Sequence, residues 1–267
     1  MRNVRLVARL DVKQSHLIKG VHLEGWRKVG DPAVYAGKYY AAGADELLYM
    51  DVVASLYGRN NLTDIVSRTA RDVFLPICVG GGIRSVEDAD RLLRAGADKV
   101  AVNTAAVARP GLLTELAARF GSQAVVLSVE AKRTPDGGWE ALTDNGREHT
   151  GRDAIEWVGD AAALGAGEIL VTSVDRDGTA KGMDLDLLQA VTAATPLPII
   201  ASGGIGEAGH AVAALRSGEL DAVASARALH YGEVVIGDLR ATLVSDGWPM
   251  PRRTMPVAPA AGAGECG

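Results

Sequence analysis

Short apolar runs alternate with longer amphipathic segments along most of the chain. The apolar runs predict eight strands, near 4–11, 46–52, 76–80, 99–103, 125–130, 168–173, 198–202 and 221–225. Helices are predicted between them, in the first half near 32–42, 60–72, 85–95 and 109–119. Ser85, followed by Glu87 and Asp88, marks one helix start, because a serine cap and acids in the first turn stabilise a helix N-terminus.

The pattern of the first half recurs in the second. Residues 43–52 (GADELLYMDV) match 165–174 (GAGEILVTSV), and residues 75–83 (LPICVGGGI) match 197–205 (LPIIASGGI). A further match joins 96–105 to 218–228 with one insertion, and Val7–Lys13 matches Val126–Lys132. Internal repeats of this kind indicate repeated supersecondary units.

Eight strand-helix units in two similar halves predict an α/β fold, a (β/α)8 TIM barrel made of two half-barrels. We place the half-barrels at about 1–120 and 121–245, within a single barrel over 1–250. An open doubly wound sheet is the alternative, and it is disfavoured because no Gly-x-Gly-x-x-Gly follows the first strand. Residues 251–267 are rich in Pro, Ala and Gly, which predicts a disordered tail.

Composition excludes several function classes. The 267 residues carry a formal net charge of −5 without a basic stripe, so we expect no nucleic-acid partner. We expect no membrane span, because no apolar run reaches about 20 residues, and no secretory signal. Two cysteines give no disulfide framework, which predicts a reducing, cytoplasmic location. The five histidines lack metal-ligand spacing, so neither a metal nor another cofactor is expected.

Two carboxylates, Asp11 and Glu130, end the first and fifth predicted strands at matching positions of the repeat. In a TIM barrel the chemistry lies at the carboxyl ends of the strands, so both face the mouth. Two opposed carboxylates can act as general acid and general base on a ligand between them. The alternative is that each caps a loop or pairs with a lysine, but matched positions favour the catalytic interpretation.

Glycine-rich turns follow the third and seventh strands, at Gly80–Gly82 and at 202–204. Glycine lets backbone N–H groups approach a phosphate closely, and a following helix N-terminus favours the anion. Two such loops on opposite sides of the mouth predict a long substrate with a phosphate at each end, although each loop alone could be a tight turn. Asp177-Gly178, after the sixth strand, could hold a diol or form a plain turn.

Four charged residues lie at or near the starts of predicted strands, at the opposite end of the barrel: Arg5, Glu46, Lys99 and Glu168. Buried charges are costly unless they are paired, so two cations and two anions could form a closed ring. Solvated strand-start charges are the alternative.

The motifs LDVK, KGVHLEG, VGGGIRSVEDADRLLRAGADKVAVNTAA, TSVDRDGTAKGMDLDLL and IIASGGIG resemble those of one enzyme family. From about Val4 to Trp248 the chain resembles the cyclase subunit of imidazole glycerol phosphate synthase, of histidine biosynthesis. The resemblance implies a glutaminase partner on the N-terminal face that supplies ammonia. It also implies a substrate with two phosphates, a ribulosyl-formimino-aminoimidazole-carboxamide nucleotide.

The resemblance implies residue roles as well. Asp11 and position 130 would be the catalytic acid and base, Lys19 on the first loop would reach over the substrate, and Arg5, Glu46, Lys99 and Glu168 would form an ammonia gate. The substrate and phosphate positions would be Lys19, Asp51, Gly81, Gly82, Asn103, Thr104, Thr172, Asp177, Gly178, Ser202, Gly203, Gly204, Ala226 and Arg227.

Four features depart from the family pattern. Glu130 stands where the family usually has Asp, and Arg227 replaces a small residue. Arg9 also replaces a small residue; pointing inward, it would lower the pKa values of both carboxylates and narrow an ammonia route, unless the strand is rotated. In the loop after the second strand, Val53 stands where threonine is usual, and Leu56-Tyr57 is unusually apolar.

The leading hypothesis is therefore an ammonia-dependent cyclase of this type. One alternative is a diverged paralogue that passes ammonia to another phosphorylated or nucleotide-linked acceptor. Another is a non-catalytic barrel that activates a glutaminase. A sibling isomerase of the same two-fold barrel type is disfavoured, because the four gate positions are all present.

Overall fold

The computed structural model describes residues 3–54 and 62–251 of the chain. Within these ranges the strands are β1 (Arg5–Lys13), β2 (His16–Val21), β3 (Glu24–Gly30), β4 (Glu46–Asp51), β5 (Ile77–Gly80), β6 (Lys99–Val102), β7 (Val125–Arg133), β8 (Trp139–Thr143), β9 (Glu148–Asp153), β10 (Glu168–Ser173), β11 (Ile199–Ser202) and β12 (Ala222–Ser225). Leu56-Tyr57 and the predicted tail beyond Pro251 lie outside the described residues.

Helices connect most of the barrel strands. They are α1 (Pro32–Ala42), α2 (Leu62–Asp72), α3 (Val86–Arg94), α4 (Thr104–Ala108), α5 (Gly111–Phe120), α6 (Ala154–Asp160), α7 (Leu185–Ala194), α8 (Ala208–Ser217), α9 (Arg227–His230) and α10 (Ile236–Ser245). Ser85 caps α3 as predicted, since its hydroxyl accepts a hydrogen bond from the Asp88 backbone N–H at 3.3 Å. Asp31 caps α1 in the same way.

Eight parallel strands close into a barrel in the order β1, β4, β5, β6, β7, β10, β11, β12, and β12 pairs with β1. The TIM barrel prediction is therefore confirmed. Parallel pairing brings the carboxyl ends of the strands to one mouth, where the chemistry of such barrels lies. Glu130 on β7 lies beside Thr172 on β10, and Asp11 on β1 lies beside Met50 on β4.

Two hairpins extend the barrel at equivalent places, and sequence analysis predicted neither. β2 and β3 follow β1, while β8 and β9 follow β7, and each first strand pairs antiparallel with the barrel strand before it. The turn before β9 contains Asp144-Asn145-Gly146, all with positive φ, which is a recognisable hairpin signal. The turn at His22-Leu23 also has positive φ but carries no comparable signal, because leucine rarely adopts that conformation.

Alternate residues of the barrel strands face inward. On β1, Leu6, Ala8 and Leu10 pack in the large core between barrel and helices, whereas Val7 belongs to a separate cluster inside the barrel with Leu48. Because successive strand side chains point to opposite faces, Arg9 and Asp11 lie on the inward face with Val7. Within the described ranges, none of the helices combines the length and hydropathy needed to span a bilayer.

Candidate active site

Asp11 is held at the barrel mouth by two cations. Its Oδ1 accepts a hydrogen bond from Arg9 Nε at 2.8 Å, and its Oδ2 accepts one from Lys19 Nζ at 2.9 Å. All three side chains are buried. Burial by itself would raise the pKa of the Asp11 carboxyl, but Arg9 and Lys19 together hold it well below its usual range.

Arg9 points into the barrel, as its position on the strand predicted. Its guanidinium also donates to Thr172 Oγ1 at 2.8 Å and to Ser202 Oγ at 3.1 Å. Only 1% of the residue is exposed. The two hydroxyls that sequence analysis assigned to substrate binding therefore hold this side chain in the structure.

Lys19 does not lie on a loop above the mouth, so that expectation is corrected. It lies on β2, and the hairpin turns its ammonium down between Asp11 and Asp177, with both Asp177 oxygens within 3.0 Å. The hairpin is fixed there because the His22 N–H donates to the Asp177 carbonyl at 2.8 Å. A strand places alternate side chains on one face, which an irregular loop would not do.

Glu130 has a different environment from Asp11. Its Oε2 accepts hydrogen bonds from the Gly146 N–H at 2.8 Å and from Asn103 Nδ2 at 3.1 Å. Burial raises the pKa of this carboxyl to about 7, because the opposing effects of Arg9 and the Gly146 N–H are smaller. As predicted, Arg9 acts to lower the pKa of both carboxyls, but its effect prevails only at Asp11, with which it forms an ion pair; at Glu130 burial outweighs it.

A cavity of about 360 Å³ opens beside Glu130, at the first glycine-rich loop. Its lining includes Asp51, Gly81, Gly82, Asn103 and Thr104, so the structure brings these sequence-predicted positions together. Gly81 has a φ of 97°, and a Cβ there would lie 2.2 Å from the Asp51 carbonyl oxygen, so this turn requires glycine.

Two cations at this cavity were missed by sequence analysis. Arg84 and Arg109 both line it, and Arg84 Nη2 donates to the Ala54 carbonyl at 2.8 Å. Arg84 lies two residues after Gly82 of the glycine-rich turn, and a cation so close to a predicted phosphate loop could have been recognised in the sequence. Arg109 lies at the end of α4, and only the tertiary structure brings it to the cavity.

The loop after β10, at Asp177-Gly178, is covered by the first hairpin. Gly178 packs against β2 so closely that a Cβ would lie 2.3 Å from the Gly20 carbonyl oxygen. Arg227 Nη1 donates to the Gly178 carbonyl at 2.7 Å, and Nη2 pairs with Glu233 at 2.9 Å. Gly203 and Gly204 have φ values of 100° and 105°, and Ala226 precedes α9. The predicted positions converge, but Arg227 is engaged by the protein itself.

A closed ring of ion pairs lies at the amino ends of the strands. Arg5 pairs with Glu46 and Glu168, and Lys99 Nζ lies 2.6 Å from Glu46 and 2.7 Å from Glu168. Burial would lower the pKa of Lys99, but the two carboxylates raise it. The four residues are therefore paired with one another and are not separate solvated charges.

Val53 lies under the first hairpin. It forms a small buried cluster with Ile18 and Val52, and Trp26 packs against it. An apolar side chain at this position fits that contact better than threonine would, because the hydroxyl would need a hydrogen-bond partner there.

The chain is similar to known proteins over most of its length. A family model described as "Histidine biosynthesis protein" matches residues 5–235. The HisF subunit of imidazole glycerol phosphate synthase from Legionella pneumophila is 64% identical over 207 residues, which cover 78% of this chain and 98% of that protein. The protein of the same name from Mycobacteroides abscessus is 52% identical over 249 residues, covering 91% and 96%. The one from Nocardia farcinica is 50% identical over 246 residues, covering 90% and 95%.

The chain belongs to the HisF family of histidine biosynthesis proteins. Within this HisF chain the asymmetry of the mouth is chemical, because both halves supply a carboxylate, a glycine-rich loop and a hairpin. The first carboxylate is paired with two cations, whereas the second accepts hydrogen bonds from uncharged amide groups.

Proposed function

We propose that this protein is an ammonia-dependent cyclase of the imidazole glycerol phosphate synthase type. The proposal rests chiefly on Asp11 and Glu130, two buried carboxylates at equivalent strand ends of one barrel mouth. Two acids in different environments can supply a hydrogen-bond acceptor and a proton donor to one ligand. The proposed substrate is the bisphosphorylated ribulosyl-formimino-aminoimidazole-carboxamide nucleotide. The proposed products are imidazole glycerol phosphate and an aminoimidazole carboxamide ribotide.

One substrate phosphate would bind at the cavity beside Gly82 and Thr104. The N-terminus of α4 lies there, and unpaired N–H groups at a helix start favour an anion. The other phosphate would bind near Gly178, Gly204 and Ala226. For that end to bind, the first hairpin and the Arg227 side chain must move aside, because both now contact Gly178.

Ammonia would come from a separate glutaminase subunit bound at the amino-terminal face, where the ion-pair ring closes the barrel. The ring of Arg5, Glu46, Lys99 and Glu168 would act as the gate, and ammonia would pass along the interior toward Asp11. We propose that this takes place in the cytoplasm; the buried, unpaired thiol of Cys78 is consistent with a reducing compartment.

A second candidate is a diverged paralogue that aminates another phosphorylated or nucleotide-linked acceptor. The observation that favours it is the buried Arg9 beside Asp11. Two further differences accompany it: Glu130 is longer than the usual aspartate, and the Arg227 side chain is hydrogen-bonded to the Gly178 carbonyl. These differences all lie at the mouth, while the ring at the other end is complete.

A steady-state assay with the bisphosphate substrate and an ammonium salt at high pH tests the proposal. Turnover that Asp11→Asn abolishes, and that the exposed control Asp136→Asn retains, would support the cyclase. No turnover by the folded wild-type protein, with partial rescue by Glu130→Asp combined with Arg9→Cys, would support the paralogue. Activation of a glutaminase without turnover of any acceptor would instead indicate a non-catalytic barrel.

A further inference from the structure

The two half-barrels differ at one inward position directly below each carboxylate. Residues 7–13 match residues 126–132, so Arg9 corresponds to Ser128 and Asp11 corresponds to Glu130. Both Arg9 and Ser128 are buried with 1% exposure. The first half therefore places a guanidinium two residues before its acid, where the second half places only a hydroxyl.

The charges around Asp11 balance only while it is ionised. Arg9 and Lys19 supply two positive charges, and Asp11 and Asp177 supply two negative charges, all buried. A proton on Asp11 would leave this cluster with a net positive charge away from water, which is costly. Two further titratable groups act on this cluster, Glu130 and His230 on α9; burial lowers the pKa of His230 to about 4, so it is neutral at neutral pH.

Arg9 is fixed in this position from three strands. It starts on β1, and its hydrogen bonds to Thr172 and Ser202 attach it to β10 and β11. A guanidinium stays charged inside a protein and donates in a rigid planar geometry. The cation therefore cannot relieve the cluster by losing its proton, and its hydroxyl partners hold it beside Asp11.

No cation is hydrogen-bonded to Glu130 among the described residues. Its partners are the Asn103 amide and the Gly146 N–H, and the nearby charges are Arg9, which favours ionisation, and Asp11 and Asp144, which oppose it. Burial outweighs the favourable contacts and raises the pKa of Glu130 to about 7. Both protonation states of Glu130 are thus accessible near neutral pH, which suits a group that exchanges protons.

We propose that Arg9 is a positioning residue that keeps Asp11 a carboxylate throughout the reaction and leaves Glu130 as the single group that gives and takes the proton. This rests on the proposed function, since it assigns roles within that reaction. The ammonia nitrogen forms a bond to the acceptor carbon, and the bond from that carbon to its leaving atom breaks. Glu130 as a carboxyl donates its proton to that leaving atom. As a carboxylate it then takes a proton from the ammonia nitrogen that has added. The enzyme's proton count is unchanged after turnover, and Asp11 acts only as a hydrogen-bond acceptor.

The protonation states can be measured without any substrate. Carbon-13 NMR of protein labelled at the aspartate and glutamate carboxyl carbons, titrated with pH, reports each acid; signals are assigned by their loss in Asp11→Asn and Glu130→Gln. In the wild type we expect Glu130 to titrate near neutrality and Asp11 to remain ionised through the ordinary aspartate range. In Arg9→Gln we expect the Asp11 titration to move to higher pH, and in Arg9→Lys to stay low. The matched control Ser128→Ala should leave both titrations unchanged.

Activity supplies a second readout. The ratio of Arg9→Gln to wild-type kcat should fall about tenfold for each pH unit below the new Asp11 titration, because a protonated Asp11 lacks the negative charge that makes it a strong hydrogen-bond acceptor. Arg9→Lys should restore the wild-type profile. A purely structural role of Arg9 would lower the rate equally at every pH.

Several results would overturn the proposal. They are a wild-type Asp11 that titrates near neutrality, a Glu130 that titrates only in the ordinary acidic range, and an Arg9→Gln variant with an unchanged Asp11 titration. If Arg9→Gln does not fold, the wild-type titrations and Arg9→Lys still decide the matter. The NMR titrations need no turnover. The inference can therefore fail while the cyclase assay succeeds, and the cyclase assay can fail while the inference holds.

Discussion

Asp11 and Glu130 belong to one chemical class and occupy equivalent strand ends, yet their surroundings move their pKa values in opposite directions. Two buried cations favour the ionised form of Asp11, and burial without a paired cation disfavours it in Glu130. The difference has consequences for stability, because a pKa that differs between folded and unfolded chains makes folding depend on pH.

Glu130→Gln should make the protein more stable than wild type at alkaline pH. Between its usual 4.5 and about 7, the folded chain retains a proton on Glu130 that the unfolded chain has lost, so wild-type stability decreases as pH rises through this window. From the lower to the upper end of that window, the free energy of unfolding of the variant should rise by about 3 kcal/mol relative to that of wild type. Urea unfolding at several pH values measures the difference. A gain that does not depend on pH would contradict the high pKa of Glu130.

Asp11 makes the opposite contribution. Its folded-state pKa is depressed, so its stabilisation is present above the usual 3.8 and is lost as pH falls below that value. Asp11→Asn should therefore cost about 3–5 kcal/mol at neutral pH, because it removes the ion pair of Arg9 and leaves Lys19 paired with Asp177 alone. Asp11→Asn combined with Arg9→Gln restores the charge balance and should cost less than the sum of the single changes. Additive costs in a double-mutant cycle would show that the pair does not interact.

Among the elements, the first hairpin shares one buried ammonium with the barrel. β2 packs against the loop after β10 at Gly178, and Lys19 joins this hairpin to Asp11 and Asp177. Much of β3 is exposed, and the apolar contacts of the hairpin are confined to small clusters around Ile18 and Leu23. Local opening is governed by such contacts and is measurable by hydrogen exchange.

Lys19→Gln should increase amide hydrogen exchange in β2 and β3 without a comparable change in β8 and β9. The variant loses both ion pairs that hold the hairpin against the barrel, whereas the second hairpin does not depend on them. The exposed residue Lys28 on β3 supplies the matched control, and Lys28→Gln should leave exchange close to wild type. If the amides of β2 and β3 exchange as slowly in Lys19→Gln as in wild type, the hairpin is held without the two ion pairs of Lys19.

The elements themselves were largely predictable. Predicted strands such as 46–52 and 168–173 agree with β4 and β10 within a residue, since buried parallel strands are continuous apolar runs. The hairpins were missed because β3 and β9 are polar and exposed and carry little hydrophobic signal. Placing Lys19 on a loop followed from that omission.

In the whole molecule, each end of the barrel contains its own cluster of paired charges. The mouth contains the Arg9, Lys19, Asp11 and Asp177 cluster, and the other end contains the ring of Arg5, Glu46, Lys99 and Glu168. Both are neutral groups of two cations and two anions. Between them lies the apolar interior around Val7 and Leu48.

Lys99→Met should reduce turnover driven by glutamine through the glutaminase more than turnover driven by an ammonium salt. Removing one cation from the ring changes the proposed entrance but leaves the mouth unaltered. We expect the glutamine-driven rate to fall on the order of fivefold or more relative to the ammonium-driven rate, because coupling between two sites is typically of that size. The exposed residue Lys38 on α1 supplies the control, and Lys38→Met should affect neither assay. A proportional loss in both assays would argue against a gate.

Sequence patterns were sufficient to predict the order of the barrel strands and their helices, the two-fold repeat, and the position of Asp11, Glu130 and the glycine-rich turns at strand ends. These features depend on local periodicity and on residue type, which are visible along the chain. The pairing of the buried charges, in contrast, depends on contacts that form only in the folded chain. Arg9 reaches Thr172 and Ser202, which are 163 and 193 residues away, and Lys19 reaches Asp177, 158 residues away. The ionisation of Asp11 and Glu130 depends on such distant partners and on burial, because the cost of a charge is set by what surrounds it in space.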